Sequence, residues 1–450
     1  MSETANRSPL MRVVHGVDAG VQRWLPDPFV IVLLLTVVVF VCGMIFEGQG
    51  PAQMATHWGD GFWSLLSFAM QMMLVLVTGH VMASTPLLSK LMNSLARLAS
   101  TPAQAIVLVT VVALAAAWIN WGFGLVVGAL FARAVGRHVP DTDYRVLIAA
   151  AYSGFVIWHG GFSGSIPLTI ATPEHFLAEM IGVIPTSQTI FALYNLIIVA
   201  VLVVTIPMVN RMMLNHGGQV VRSGDVDLGG DDVEDDFTPT TPAERLENSR
   251  IVSLLAAAIG LLFIVLYFAR NGFALNLNIV NMIFLFVGLA LHKSPRAFTK
   301  AVQDAIGGAA AILVQFPFYA GIMGMMAGSG MAADITSWFT SISTASTLPV
   351  IAFLSGGFVN VLVPSGGGQW AVQGPIMMET AQALGADPAR VAMGVAWGDA
   401  WTNMIQPFWA LPALAIAGLS ARDIMGFCLI LVVLVGVVVS AGLMLIPALP

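Results

Sequence analysis

Pro364-Ser365-Gly366-Gly367-Gly368-Gln369-Trp370 sits inside a long apolar stretch, after Gly356-Gly357-Phe358-Val359-Asn360 and before Val372-Gln373-Gly374-Pro375. A proline and three consecutive glycines disfavour a continuing helix. In hydrocarbon, non-helical backbone is tolerated only where protein buries it or where it lines a wet cavity. The run therefore predicts a break placed at membrane depth. Short helices that aim their free N–H groups at such a break form a site for a small anion.

The same arrangement occurs earlier in the chain. An offset of 244 lays Pro364-Ser365-Gly366-Gly367-Gly368 on Asn120-Trp121-Gly122-Phe123-Gly124, and also Gln315 on Gln71, Asp304 on Asp60, Asp387 on Asp143 and Gly398 on Gly154. Identities are few, but the order of apolar run, polar break, apolar run and second break keeps step for roughly a hundred residues, as in an internally duplicated membrane unit.

Of the 450 residues, 58% are hydrophobic and 9% charged. A water-soluble chain of this size cannot bury that much apolar surface, so the bilayer is its solvent. The net charge of −6 is concentrated, because nine carboxylates fall between Asp225 and Glu247. No basic stripe is present, which argues against nucleic-acid binding. Cys42 and Cys428 both fall in predicted spans and suggest neither a disulfide framework nor a metal cluster. Nothing before Pro26 resembles a cleavable leader, so the first apolar run is expected to remain as a span.

Apolar runs of crossing length, about 20 residues, occur at 28–46, 62–83, 187–210, 251–269, 276–292 and 424–447. The stretches 145–172, 303–331 and 390–418 are interrupted by Gly, Pro or polar residues and are expected to cross with unwound centres. The stretches 103–136 and 348–384 carry the paired breaks. With limbs of about 15 residues, roughly 22 Å of helix, they are expected to be re-entrant hairpins. Pro86–Ala99 and Ile335–Ser343 suit helices lying in the interface. The fold class expected is thus an all-α polytopic membrane protein of two inverted repeats, each with a re-entrant hairpin and an unwound transmembrane helix, with about nine crossings plus two hairpins.

A cytoplasmic N-terminus places 16 of the 18 basic side chains inside and leaves only Arg270 and Arg390 outside, a strong positive-inside bias. The C-terminus is then periplasmic. Residues 1–27 form a cytoplasmic segment, 28–212 the first repeat, 213–250 an acidic linker, 251–270 an extra helix and 271–450 the second repeat. The linker is too polar for a core of its own, and Thr241-Pro242-Ala243-Glu244 at its end reads as a capping box with proline at the first helical position.

All basic side chains fall at or beyond span ends. Asp399, in Trp397-Gly398-Asp399-Ala400-Trp401-Thr402-Asn403, is the acid expected at depth, and an intramembrane carboxylate is a functional candidate by default. It could carry a proton or join a sodium site. The plain alternative is an acid that satisfies freed backbone. His159 and His80 read as hydrogen-bonded packing residues. Asn120, Ser163, Ser165, Asn360, Ser365, Gln369, Thr402 and Asn403 can bond a carboxylate without charge. Trp121 and Trp370 stand beside them to pack a short alkyl tail, and Gly122, Gly124, Gly366, Gly367 and Gly368 expose backbone. Gly124-x-x-x-Gly128 and Gly324-x-x-x-Gly328 suit close-packed helix faces. No hydrolase elbow, zinc motif or nucleotide loop is found, so no cofactor is expected beyond a coupling ion, H+ or Na+. An intramembrane hydrolase using Ser365 or His159 is the alternative of a different class.

Several long motifs occur in one order: Trp58-Gly59-Asp60-Gly61-Phe62-Trp63, Ile119-Asn120-Trp121-Gly122-Phe123-Gly124, Gly161-Phe162-Ser163-Gly164-Ser165, Gln315-Phe316-Pro317-Phe318-Tyr319 and Gln406-Pro407-Phe408-Trp409. With them the chain resembles the bacterial short-chain fatty acid transporter family of the ion-transporter superfamily. The resemblance implies import of monocarboxylates such as acetoacetate or butyrate across the cytoplasmic membrane. It also implies a homodimer in which a transport domain moves like an elevator against a scaffold. A sodium-coupled dicarboxylate or amino-acid carrier of the same superfamily is the nearest alternative.

Overall fold

A computed structural model describes residues 28–214, 220–228, 238–405 and 409–446, which are mostly helical, joined by turns and with an isolated bridge between Asp143 and Arg222. The expected N-terminal segment 1–27 and the motif residues Gln406-Pro407-Phe408 lie outside the described residues.

Helix α1 (Pro28–Phe46) is apolar all round and leaves Leu34, Val37, Val38 and Phe46 exposed, as a lipid-facing helix does. It leads to α2 (Pro51–Gly61), α3 (Leu66–Ala83) and the short amphipathic α4 (Pro86–Ala96). Thr101 caps α5 (Pro102–Ile119) by accepting from Gln104 N, and Asn120 caps α6 (Trp121–His138) by accepting from Phe123 N. Asp143 caps α7 (Tyr144–Ser153), which tightens to a 3₁₀ segment at Gly154–Gly160, opens at 161–164 and resumes as α8 (Ser165–Ile170). The first half closes with α9 (Ala178–Ile181) and α10 (Leu193–Met213).

The linker ends in α11 (Pro242–Glu247), and α12 (Arg250–Asn271) and α13 (Leu277–Leu291) follow. They are followed by α14 (Pro295–Ser329), α15 (Met331–Ile342), α16 (Leu348–Leu362) and α17 (Gly366–Leu384). The chain ends with α18 (Pro388–Thr402), α19 (Ala410–Ala417) and α20 (Ala421–Leu445). Seven of the described helices are long and apolar enough to cross a membrane. Helices α1–α3 and α12–α14 pack as one group, the outer, and α5–α8, α10 and α16–α20 as a second, the inner; the two meet chiefly where α3 lies on α6 and α14 on α17.

The offset of 244 recurs in the backbone. Asp143 (φ −64°, ψ 112°) and Asp387 (φ −64°, ψ 113°) cap equivalent helices, accepting from the N–H two residues on. Gly154 presses on the backbone of Ala113 and Leu114, and Gly398 on that of Phe353 and Gly357.

Three expectations change. The stretch 303–331 is not unwound; up to Ser329 it belongs to the continuous 35-residue α14, with Pro317 inside it, and Gly330 then turns the chain into α15. Its glycines serve packing, since a Cβ on Gly324 would stand 2.5 Å from His57 O and 3.0 Å from Gly61 Cα. The glycine run at 366–368 does not break the chain either. It forms the first turn of α17, and the break is at Val363–Ser365. Thirdly, the limbs of the first hairpin have 18 residues each, so length alone does not force them to turn back, and α5 is itself of crossing length.

The linker is partly docked. Its segment 220–228 lies against α6 and α7, with Tyr144 N donating to Val221 O (2.7 Å) and Arg133 Nε to Leu228 O (3.0 Å).

Candidate functional site

At the first tip, Asn120 is extended (φ −156°, ψ 129°), ending α5 and starting α6. Its Oδ1 accepts from Phe123 N at 2.9 Å, and Trp121 N donates to Ser163 Oγ at 2.8 Å. Phe162 N donates to Trp118 O at 2.7 Å, and Trp118 Nε1 to Gly160 O at 3.1 Å. The opened stretch 161–164 is thus held partly by the hairpin tip and partly by its own turn, where Gly161 N donates to Trp158 O and Gly164 N to Gly161 O, which is how irregular chain survives in an apolar interior.

At the second tip, Ser365 Oγ accepts from Gly368 N at 3.3 Å. Each glycine of the run admits a different neighbour: Gly366 the rings of His159 and Trp158, Gly367 those of Phe68 and Phe316, Gly368 that of Tyr319. A side chain at any of them would push a ring away. Asn360 Nδ2 donates to Thr402 Oγ1 (2.9 Å) and Asn403 Oδ1 (3.1 Å), and Thr402 Oγ1 to Gly357 O (2.9 Å). Gln369 Nε2 donates to Gly356 O and Gln373 Oε1, both at 2.9 Å.

The two interrupted crossings touch each other. Tyr152 Oη donates to Asn403 O at 2.6 Å, and His159 Nδ1 to Ala396 O at 2.6 Å. The carbonyl only accepts, so Nδ1 carries the hydrogen. An offset of 244 converts one contact into the other, since 152 maps to 396 and 159 to 403. Beside this bond, His159 Nδ1 stands 3.4 Å from Asp399 Oδ2, with both side chains buried. Asn403 also flanks the carboxylate. The Trp158 ring stacks on the imidazole, centroids 3.6 Å apart. Asn195 braces the region, donating to Gly160 O (3.1 Å) and accepting from Trp397 Nε1 (3.0 Å).

Among the described residues, both Asp399 oxygens, His159 Nε2 and the indole nitrogens of Trp121, Trp158 and Trp370 are buried without a hydrogen bond. Such groups are costly unless something pairs with them. Beside them lies a narrow cavity lined by Met72, Trp121, Phe155, Trp158, Ser165, Phe316, Ser365, Gly366, Gly367 and Trp409. Its volume is about 20 Å³, room for roughly one water, and no charged side chain lines it.

The model of the short chain fatty acid transporter family matches residues 10–446. The chain belongs to this family. Two members named "Putative short-chain fatty acid transporter" cover nearly all of it. The Escherichia coli (strain K12) protein is 48% identical over 96% of this chain and 99% of its own length. The Haemophilus influenzae protein is 44% identical over the same shares, 96% and 99%. In fold, the chain is similar to the YdaH transporter of Alcanivorax borkumensis, with a TM-score of 0.62 at 16% identity over 93% of this chain and 97% of that one.

Within this transporter the sequence-predicted residues divide. Trp121, Ser165, Ser365, Gly366 and Gly367 line the cavity. Asn120, Ser163, Asn360, Gln369, Thr402 and Asn403 bond the hairpins to the interrupted crossings or within themselves. Gly122 and Gly124 admit Leu76 and Ala117, Gly368 admits Tyr319, and Trp370 is fully buried. The residue that sequence reading undervalued is His159. Its place in Trp158-His159-Gly160-Gly161, opposite Asn403 at the offset, was the signal for it.

Proposed function

We propose that this transporter imports short-chain monocarboxylates, acetoacetate and butyrate among them, across the bacterial cytoplasmic membrane with an accompanying cation. The observation that carries the reading is the cavity, where both hairpin tips meet the first interrupted crossing. Helix N-termini and neutral polar groups suit a single carboxylate, and the tryptophans and phenylalanines suit a short alkyl tail. A dianion there would find no basic partner.

The cation follows from energetics. An anion entering against a negative-inside potential opposes about 2.3 kcal/mol per 100 mV, so accumulation needs a compensating charge. Asp399 is the buried acid beside His159, whose Nδ1 stands 3.4 Å from its Oδ2, and a proton is the favoured ion because a buried carboxylate–imidazole pair can take one up. The reciprocal contacts of Tyr152 with Asn403 and His159 with Ala396 support a pseudo-twofold, inverted pair of repeats in which 103–136 and 348–384 are re-entrant. The cavity is too small for four carbons, so entry needs movement. Sliding of the inner group against the outer one, in a homodimer, is the motion this packing suits.

Uptake of labelled butyrate into proteoliposomes, with proton and sodium gradients imposed separately, tests this. Accumulation is expected under the proton gradient, with weak competition by succinate. Inhibition by succinate as strong as by unlabelled butyrate at neutral pH would refute the monocarboxylate assignment. Asp399→Asn is expected to abolish gradient-driven accumulation, while exchange of labelled for unlabelled butyrate is slowed but measurable.

A further inference from the structure

Resting on the transport reading above, we infer that His159 is the proton acceptor of the coupled step, and that Asp399 is the positioning counter-charge that holds its ring. The imidazole has two distinct edges. Nδ1–H is committed to Ala396 O at 2.6 Å with Asp399 Oδ2 at 3.4 Å beside it. Nε2 is therefore the bare lone pair; it is buried and has no partner. The Cε1–Nε2 edge packs on Gly366, the first residue of the 19-residue α17, where a built Cβ would stand 2.7 Å from Cε1 and 2.8 Å from Nε2. A neutral lone pair is a stable neighbour for the positive end of a helix, and a protonated ring is not.

Substrate changes that balance. Once movement opens the cavity, a carboxylate bound at the N–H groups of Gly366 and Gly367 lies beside Nε2. Lone pair against carboxylate is repulsive until one proton from solvent adds to Nε2. The imidazolium then donates to the substrate on one edge and to Ala396 O beside Asp399 on the other. When the carboxylate leaves, the ring again faces only the helix end and releases the proton. One proton therefore accompanies each monocarboxylate, and the pair crosses with no net charge.

Of the other titratable groups on the surrounding helices, Tyr319 of α14 is buried against Gly368 and Cys428 is buried on α20. Tyr152 donates to Asn403 O, Tyr194 to Gln188 O, and Arg390 Nη2 to Leu443 O. Glu379 accepts from Thr336. Tyr144 and Arg145 begin α7; Arg133, Arg137, His138 and Arg211 are toward the ends of α6 and α10 away from the dyad; α5 and α8 carry none.

Calorimetric titration of the full-length protein in lipid nanodiscs with butyrate, in buffers of different ionisation enthalpy, counts the protons taken up. About one per butyrate is expected for the wild type, with affinity falling roughly tenfold per pH unit on the alkaline side. His159→Gln is expected to bind at least tenfold more weakly at pH 6, with no proton uptake and a flat pH profile. Uptake of one proton by His159→Gln, or of none by the wild type, would overturn the assignment. Absence of butyrate binding to the folded wild type at any pH would overturn the transport reading as well. Nitrogen NMR of histidine-labelled wild type gives a variant-free check: one buried Nε2 should convert from unprotonated to protonated on adding butyrate, and an unchanged Nε2 would refute the proposal.

Discussion

A methyl group added at Gly398 would stand 2.3 Å from Phe353 O and 2.7 Å from Gly357 N, and neither backbone atom can step aside. Gly398→Ala is therefore expected to cost about 2–3 kcal/mol, the upper range for overpacking, seen as a lower melting temperature in detergent. Gly307→Ala is the control. No atom lies within 4 Å of its Cβ position, and removing a mid-helix glycine should leave stability unchanged or raise it by about 0.5–1 kcal/mol. Equal losses at both positions would show that Gly398 is not a packing contact. Asp399 was legible at this scale because a carboxylate in an apolar run is conspicuous. His159 was signalled only by its place opposite Asn403 at the offset, because the carboxylate beside it is 240 positions away.

Helix ends show how local chemistry sets an element. Thr241 Oγ1 accepts from Glu244 N at 3.2 Å, and Glu244 Oε2 accepts from Thr241 N at 2.9 Å and Thr240 N at 2.6 Å. Those N–H groups, Thr241's foremost, hold the exposed Glu244 carboxyl down at about 2, below its ordinary 4.5. A depressed folded value means that the cap contributes fully above the ordinary carboxylate range and is lost as pH falls through about 2. Hydrogen exchange at Thr240 and Thr241, corrected for intrinsic rate, should be slow at neutral pH and lose its protection across that window. Glu244→Ala should remove the protection at every pH, and protection surviving in it would refute the assignment. This box was readable from four consecutive residues. The hairpin breaks were readable in position but not in detail, because glycine in a first turn forgoes little helix and here makes room for rings that arrive from other helices.

For the whole molecule, sliding of the inner helices against the outer ones is the motion to test. Gly122 on α6 meets α3 closely, with Leu76 Cα 3.0 Å from a built Cβ. Leu76→Cys with Gly122→Cys, in a background lacking Cys42 and Cys428, should form a disulfide on oxidation and stop butyrate uptake, with recovery on reduction. Full uptake by the oxidised, cross-linked protein would refute movement between α3 and α6.

Solvent and local order were determined by the sequence itself. Apolar runs without charge must leave water, a proline–glycine cluster must start or end a helix, and basic residues gather at span ends; none of these needs a distant partner. Tertiary structure alone decided what each break is for. It made 303–329 part of one continuous helix, with glycines packed on α2, and turned Gly366, Gly367 and Gly368 into three seats for aromatic and imidazole rings. It also set most of the predicted amides to holding the hairpins rather than lining the cavity. The physical reason is range: a buried polar group takes its meaning from whichever partner satisfies it, and here those partners come from the other half of the chain.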